Sequence, residues 1–293
     1  MAATLRMRSI GASALALASY HPAPPEDRRA ERRRRPGLSA AAAAASTRAM
    51  TPEEMQTRLL YRDGLMLVID KPAGVAVHRG PKGGASLEDD FDALRFGLPR
   101  KPALAHRLDR DTAGCLVLGR HHKALEKLGL LFKQGKIGKT YWAIVVGGPA
   151  EEVGLIDKPL GRLDAERGWW MKVDANGQPA KTVWRVCGRG QWRGAPIAWL
   201  ELTPLTGRTH QLRVHCASEG WPILGDAVYG ARADLALQLL ARRVEVPLSK
   251  NQPSIVVEAP APPHMMETLA ACGFAGAPEW APAAETDGAA TIV

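Results

Sequence analysis

The segment His106-Arg107-Leu108-Asp109-Arg110-Asp111-Thr112-Ala113-Gly114 sets a carboxylate among three side chains able to carry positive charge, just ahead of a glycine. Neighbouring cations favour the ionised form of an aspartate, and an ionised aspartate in a basic loop is equipped for chemistry at a polyanion. Such a group can attack an electrophilic carbon or accept a proton. Crowded Arg and Asp also form plain solvated salt-bridge clusters, worth about 0–1 kcal/mol. Taken alone, the segment favours the salt-bridge cluster.

Three further segments bear on the choice. Asp70-Lys71-Pro72-Ala73-Gly74-Val75 follows the apolar run Leu65-Met66-Leu67-Val68-Ile69 and reads as a strand entering a Pro-Gly turn. Lys139-Thr140-Tyr141-Trp142-Ala143-Ile144-Val145-Val146-Gly147 reads as a strand, in which a tyrosine by itself is more often core than catalyst. Thr206-Gly207-Arg208-Thr209-His210-Gln211-Leu212-Arg213-Val214-His215 continues through Gly220-Trp221-Pro222-Ile223-Leu224-Gly225-Asp226 to Tyr229-Gly230. In this order, over a stretch from about Leu59 to about Val257, the four segments resemble the signatures of the RluA-type RNA pseudouridine synthases. Ala113 stands where that family usually has Ser.

The resemblance implies conversion of a uridine already in an RNA chain to pseudouridine: the glycosidic bond breaks, the uracil turns, and carbon 5 rejoins the sugar. Carried onto this chain, Asp109 is the essential carboxylate, as nucleophile at the sugar or as base. Arg213 pairs with it and keeps it ionised, Tyr141 lies against the flipped uracil, and Leu212 supplies the other apolar wall. Arg107, Arg110, Arg208 and His106 are expected as RNA contacts, while Asp111 and Asp164 are decoys outside the full motif. No redox step or group donor is needed, so no cofactor is expected. The partner is RNA, ribosomal or transfer. The alternative from another class is a protein on this fold that binds or folds RNA without modifying it; an enzyme acting on free uridine nucleotides is a further rival.

The net charge of +9 overstates how basic the body is. Residues 1–50 hold nine Arg against three acids, so the rest carries only +3, which suggests a basic groove rather than a globally basic surface. That leader, with Arg32 to Arg35 and the Ala40 to Ala45 run, cannot build a core and is expected to be disordered. It is either an organelle transit peptide or a misassigned start, with Met50 the true one. A catalytic domain is expected over residues 51–275, and a flexible Ala/Pro-rich tail over 276–293. Cytoplasmic location and a monomer are expected, with import if the leader is genuine. No run nears 18 consecutive apolar residues. Cys115, Cys187, Cys216 and Cys272 lack any Cys-x-x-Cys spacing, and His210 and His215 point to different sides of a helix or strand, so no metal site is expected.

The elements that must position these residues read as α+β. Thr51 with Pro52 opens one helix. Ser86 to Asp89 forms a capping box for a helix that stops at Gly97. Leu125, Leu128, Leu131 and Phe132 recur at helical spacing from about His122 to Gln134, with Gly135 ending the helix. Thr209 is expected to cap a helix running from His210 towards Gly220. Strands are expected around Tyr141–Val146, Thr182–Val186 and Ile197–Leu202. The resemblance adds a mostly antiparallel central sheet flanked by helices, with the active cleft across it.

Overall fold

Alternating residues of the central strands go to opposite sides of one large sheet, and this period of two organises the molecule. The computed structural model describes residues 50–80, 83–164, 170–230, 234–249 and 251–276. Among them, α1 (Pro52–Thr57) leads into β1 (Leu59–Arg62) and β2 (Met66–Lys71), and a 3-10 helix (Leu87–Leu94) precedes β3 (Ala103–Leu104) and β4 (Ala113–Gly119). Then come α2 (His122–Lys133), β5 (Gly138–Val146), β6 (Val153–Asp157), β7 (Leu160–Arg162), β8 (Met171–Val173), β9 (Lys181–Trp192) and β10 (Ala195–Pro204). The chain closes with α3 (Gln211–Ser218), β11 (Leu239–Val246), β12 (Ile255–Glu258) and α4 (Pro263–Ala271).

The large sheet runs β1-β2-β4-β11-β5-β10-β9-β6, with β3 attached to β4 and β12 to β11. Every pairing is antiparallel except the short contact of β11 with β4, where Leu240 and Ala241 lie beside Ala113 and Gly114. β7 and β8 form a separate hairpin. The fold is α+β, with a mostly antiparallel central sheet.

On one face Met66, Val68, Cys115, Val117, Ile144 and Leu240 join a single cluster with Met265 and Leu269 of α4. The intervening residues face the other way and divide into two clusters. One holds Leu67, Ile69, Leu116 and Leu118 with Phe91 of the 3-10 helix; the other holds Ala143, Val145, Leu200 and Leu239 with Leu212 and Cys216 of α3. Tyr141 packs against both. The seam between two apolar bodies on one face of a sheet is where a cleft forms.

Local signals explain most element ends. Thr51 and Glu54 make a reciprocal capping box around Pro52. Asp89 accepts from the Ser86 backbone N–H as expected, but the helix it opens is 3-10 rather than α. α2 ends within a residue of its expected end, and Gly135 beyond it takes a left-handed φ of 66°. At α3 the cap is His210, not Thr209. The expected leader and tail lie outside the described residues, apart from Met50 and Gly276.

Candidate active site

Asp109 sits in the loop between β3 and β4, and a buried lysine anchors that loop. Lys71, the last residue of β2, is fully buried and donates to three carbonyl oxygens, those of Pro72, Arg110 and Thr112, each at 2.8 Å. Burial pulls its pKa down to about 7, with the charges of Asp111, Asp109 and Asp70 opposing. Three carbonyl acceptors match the three N–H bonds of an ammonium, whereas a neutral amine would leave one carbonyl without a donor, so the protonated form fits the geometry. His106 fixes the same loop from its other end. Its Nε2 accepts from the Val117 N–H at 3.0 Å, and its ring stacks on Phe132 with centroids 4.4 Å apart. Burial drops the His106 pKa to about 3, so the ring is neutral.

The chain delivers α3 to the same place. Arg213, only 5% exposed, points Nε and Nη2 at Asp226, with 2.7 Å and 2.8 Å to the two carboxylate oxygens. Asp226 also accepts from the N–H groups of Val228 and Tyr229 at 2.9 Å and 3.0 Å. Burial works against charge on both partners, but the bidentate pairing overcomes it, leaving the Arg213 pKa above and the Asp226 pKa below its ordinary value. The remaining nitrogen, Nη1, lies 3.9 Å from Oδ2 of Asp109. His210 approaches the same oxygen, its Nε2 at 3.8 Å. It does so from a left-handed backbone (φ 52°), which costs a non-glycine residue on the order of 1–3 kcal/mol.

Asp109 therefore lines a cleft of about 690 Å³, with Tyr141, Leu212 and Leu239 as apolar lining and Arg107, Lys139 and Arg208 among its polar lining. The size suits a single nucleotide unit. Tyr141 keeps its phenol proton: burial first, then the charge of Asp109, raises its pKa further. Burial also lowers the Lys139 ammonium. A part-exposed carboxylate beside a buried guanidinium that another carboxylate already binds remains reachable, which suits a nucleophile or a base.

Residues 65–218 match the family model described as RNA pseudouridylate synthase. The chain belongs to that family. A Zymomonas mobilis protein described as an uncharacterized RNA pseudouridine synthase is 40% identical over 210 residues, covering 70% of this chain and 94% of its own. The ribosomal large subunit pseudouridine synthase C of Vibrio cholerae is 31% identical over 236 residues, 76% of this chain and 72% of its own. Among solved structures, human RNA pseudouridylate synthase domain containing 4 superposes with a TM-score of 0.63 at 26% identity, covering 76% of this chain and 95% of that one.

In this synthase the fold brings Asp109, Tyr141, Arg213, Leu212, Arg107, Arg208 and His106 to one cleft. Arg110 is turned to Asp111, Nε to Oδ1 at 3.0 Å, and neither lines the cleft. Arg213 pairs chiefly with Asp226 rather than with Asp109. Leu212 belongs to a core cluster and to the cleft wall at once. Sequence reasoning missed the roles of Asp226, His210 and Lys71. All three lie in the segments that carry the resemblance, but only the fold shows what they touch.

Proposed function

We propose that this synthase isomerises a specific uridine within a structured RNA, ribosomal or transfer RNA, to pseudouridine, with Asp109 as the reacting carboxylate. The observation that carries this reading is the position of Asp109: part-exposed in the cleft lining, with Nη1 of buried Arg213 3.9 Å away and Tyr141 lining the same cleft. Extruding a uridine from a stack costs a few kcal/mol, offset by stacking on an aromatic ring and by backbone contacts. Arg107 and Arg208 at the rim are suited to the phosphates on either side. Asp109 acts as nucleophile at the sugar or as the base that removes a sugar proton; both need an ionised carboxylate at the sugar carbons. The Vibrio cholerae relative is named for the large ribosomal subunit, which makes ribosomal RNA the first place to look.

The test is a pseudouridine map of all stable RNAs, by carbodiimide labelling and reverse-transcription stops, in cells with the wild-type gene, a deletion, and Asp109→Asn. A site lost in both altered strains is expected and names the substrate. A site lost only in the deletion would remove Asp109 from the chemistry. No lost site would favour a protein that binds RNA without modifying it.

A further inference from the structure

The chemistry above leaves one buried ring at the reacting carboxylate without a role. His210 caps α3 in a left-handed conformation that swings its imidazole towards Asp109, and its side chain is only 8% exposed. Its Nδ1 lies 2.8 Å from the Tyr229 hydroxyl, and that hydroxyl accepts the backbone N–H of Met171 at 2.9 Å. The guanidinium of Arg213 lies over the Tyr229 ring at 5.2 Å, so the phenol is held from three sides. A phenol carries one proton. With the Met171 N–H donating to its oxygen, the hydroxyl proton is directed to Nδ1, and the histidine proton then sits on Nε2. The opposite tautomer would aim an Nε2 lone pair at the negative oxygen of Asp109. Burial, which lowers the His210 pKa against the pull of Asp109, keeps the ring neutral.

An N–H donor and a carboxylate oxygen 3.8 Å apart are too far for a hydrogen bond with each other. One hydroxyl oxygen fits between them, about 2.8 Å from each, accepting from the first and donating to the second. Whether Asp109 attacks carbon 1′ or removes a proton from carbon 2′, the sugar hydroxyl nearest to it is the one on carbon 2′. We propose that His210, locked as the Nε2–H tautomer by Tyr229, and Asp109 together clasp the 2′-hydroxyl of the target nucleotide, so that the pair selects ribose over deoxyribose and sets the sugar against the carboxylate. This rests on Asp109 being the reacting carboxylate. The β7–β8 hairpin shares in the arrangement, since Met171 begins β8 and orients the phenol that orients the histidine.

The experiment measures equilibrium binding of a stem-loop oligoribonucleotide spanning the mapped site, carrying at that position either pseudouridine or 2′-deoxypseudouridine. Using product avoids turnover during the titration. Wild-type protein is expected to prefer the ribose form about tenfold, the usual net worth of one hydrogen bond. His210→Leu should bring the preference to within about twofold. His210→Gln, which offers an N–H near the Nε2 position, should retain part of it, and Tyr229→Phe, which keeps the imidazole but releases its tautomer, should fall between. Nitrogen-15 spectra of the imidazole should report protonated Nε2 in the wild type and a mixture in Tyr229→Phe. A full ribose preference in every folded variant, or none in the wild type, would overturn the clasp while leaving the proposed reaction standing. Failure to find any site lost in the deletion strain would overturn both.

Discussion

Arg213 carries its charge into a buried position because Asp226 meets it with both carboxylate oxygens. Removing one partner strands the other: Asp226→Asn should cost about 3–5 kcal/mol in urea unfolding and lower turnover by letting Arg213 shift from Asp109. Asp109→Asn should instead abolish turnover with little change in the unfolding midpoint or in RNA affinity, because Asp109 is part-exposed and lies 3.9 Å from Arg213. His106 adds a pH signature. Its folded pKa, about 3, lies below the ordinary 6.5, so in acid the unfolded chain binds a proton that the folded one refuses. Stability should therefore be flat above pH 6.5 and fall below it, by up to about 1.4 kcal/mol per pH unit from this group. His106→Gln, whose side-chain oxygen can still accept from Val117, should flatten the midpoint measured at pH 7.5 and pH 5. At this scale the catalytic candidates were legible because their types recur in recognisable strings. The partner of Arg213 was not, because pairing between residues 213 and 226 depends on how α3 and the following turn fold back, which no spacing rule states.

Elements hold these residues through close backbone contacts, and Gly114 is where tolerance is least. It has φ 104°, and a Cβ there would stand 2.3 Å from the Ala241 carbonyl oxygen and 2.7 Å from Leu240 Cδ1. Gly114→Ala should therefore push β4 from β11, costing more than about 3 kcal/mol, and should disturb Asp109 upstream. Gly135→Ala, with φ 66° but nothing within 4 Å of the added carbon, should cost only about 1 kcal/mol. Thermal unfolding of the two variants separates crowding from backbone strain. Periodicity made α2 legible, since Leu128, Leu131 and Phe132 recur on the side packed into the core, and apolar runs revealed β2, β5 and β10. The insertion of β11 between β4 and β5 was invisible, being a pairing of segments far apart in sequence. The cap of α3 was misjudged for a physical reason: threonine is the better N-cap by preference, yet the left-handed turn at His210 moves the helix start one residue on. Lys71 read as part of a turn, and only its three carbonyl partners show that it anchors the loop bearing Asp109.

Over the whole molecule, charge sits where the cleft needs it. Beyond residue 50 the chain carries only +3, yet the cleft edge gathers Arg107, Lys133, Lys139 and Arg208. Surface arginines elsewhere, such as Arg79, Arg185 and Arg189, are matched by Asp89, Glu201 and Glu152, whereas Arg107 pairs with no carboxylate among the described residues. An unpaired guanidinium at the mouth of a cleft has phosphate as its natural counterpart, and neutralising a phosphate releases condensed counterions. Arg107→Ala should thus weaken binding of a stem-loop RNA at 50 mM salt and also reduce the slope of log affinity against log salt by about 0.7–0.9. Arg185→Ala, which removes a cation already paired on the outer sheet, should leave the slope unchanged. Fluorescence polarisation between 50 and 200 mM potassium chloride measures both. If Arg107→Ala lowered affinity equally at every salt concentration, the contact would be with a base or sugar instead, and the residue would belong to target recognition rather than to the electrostatic capture of RNA.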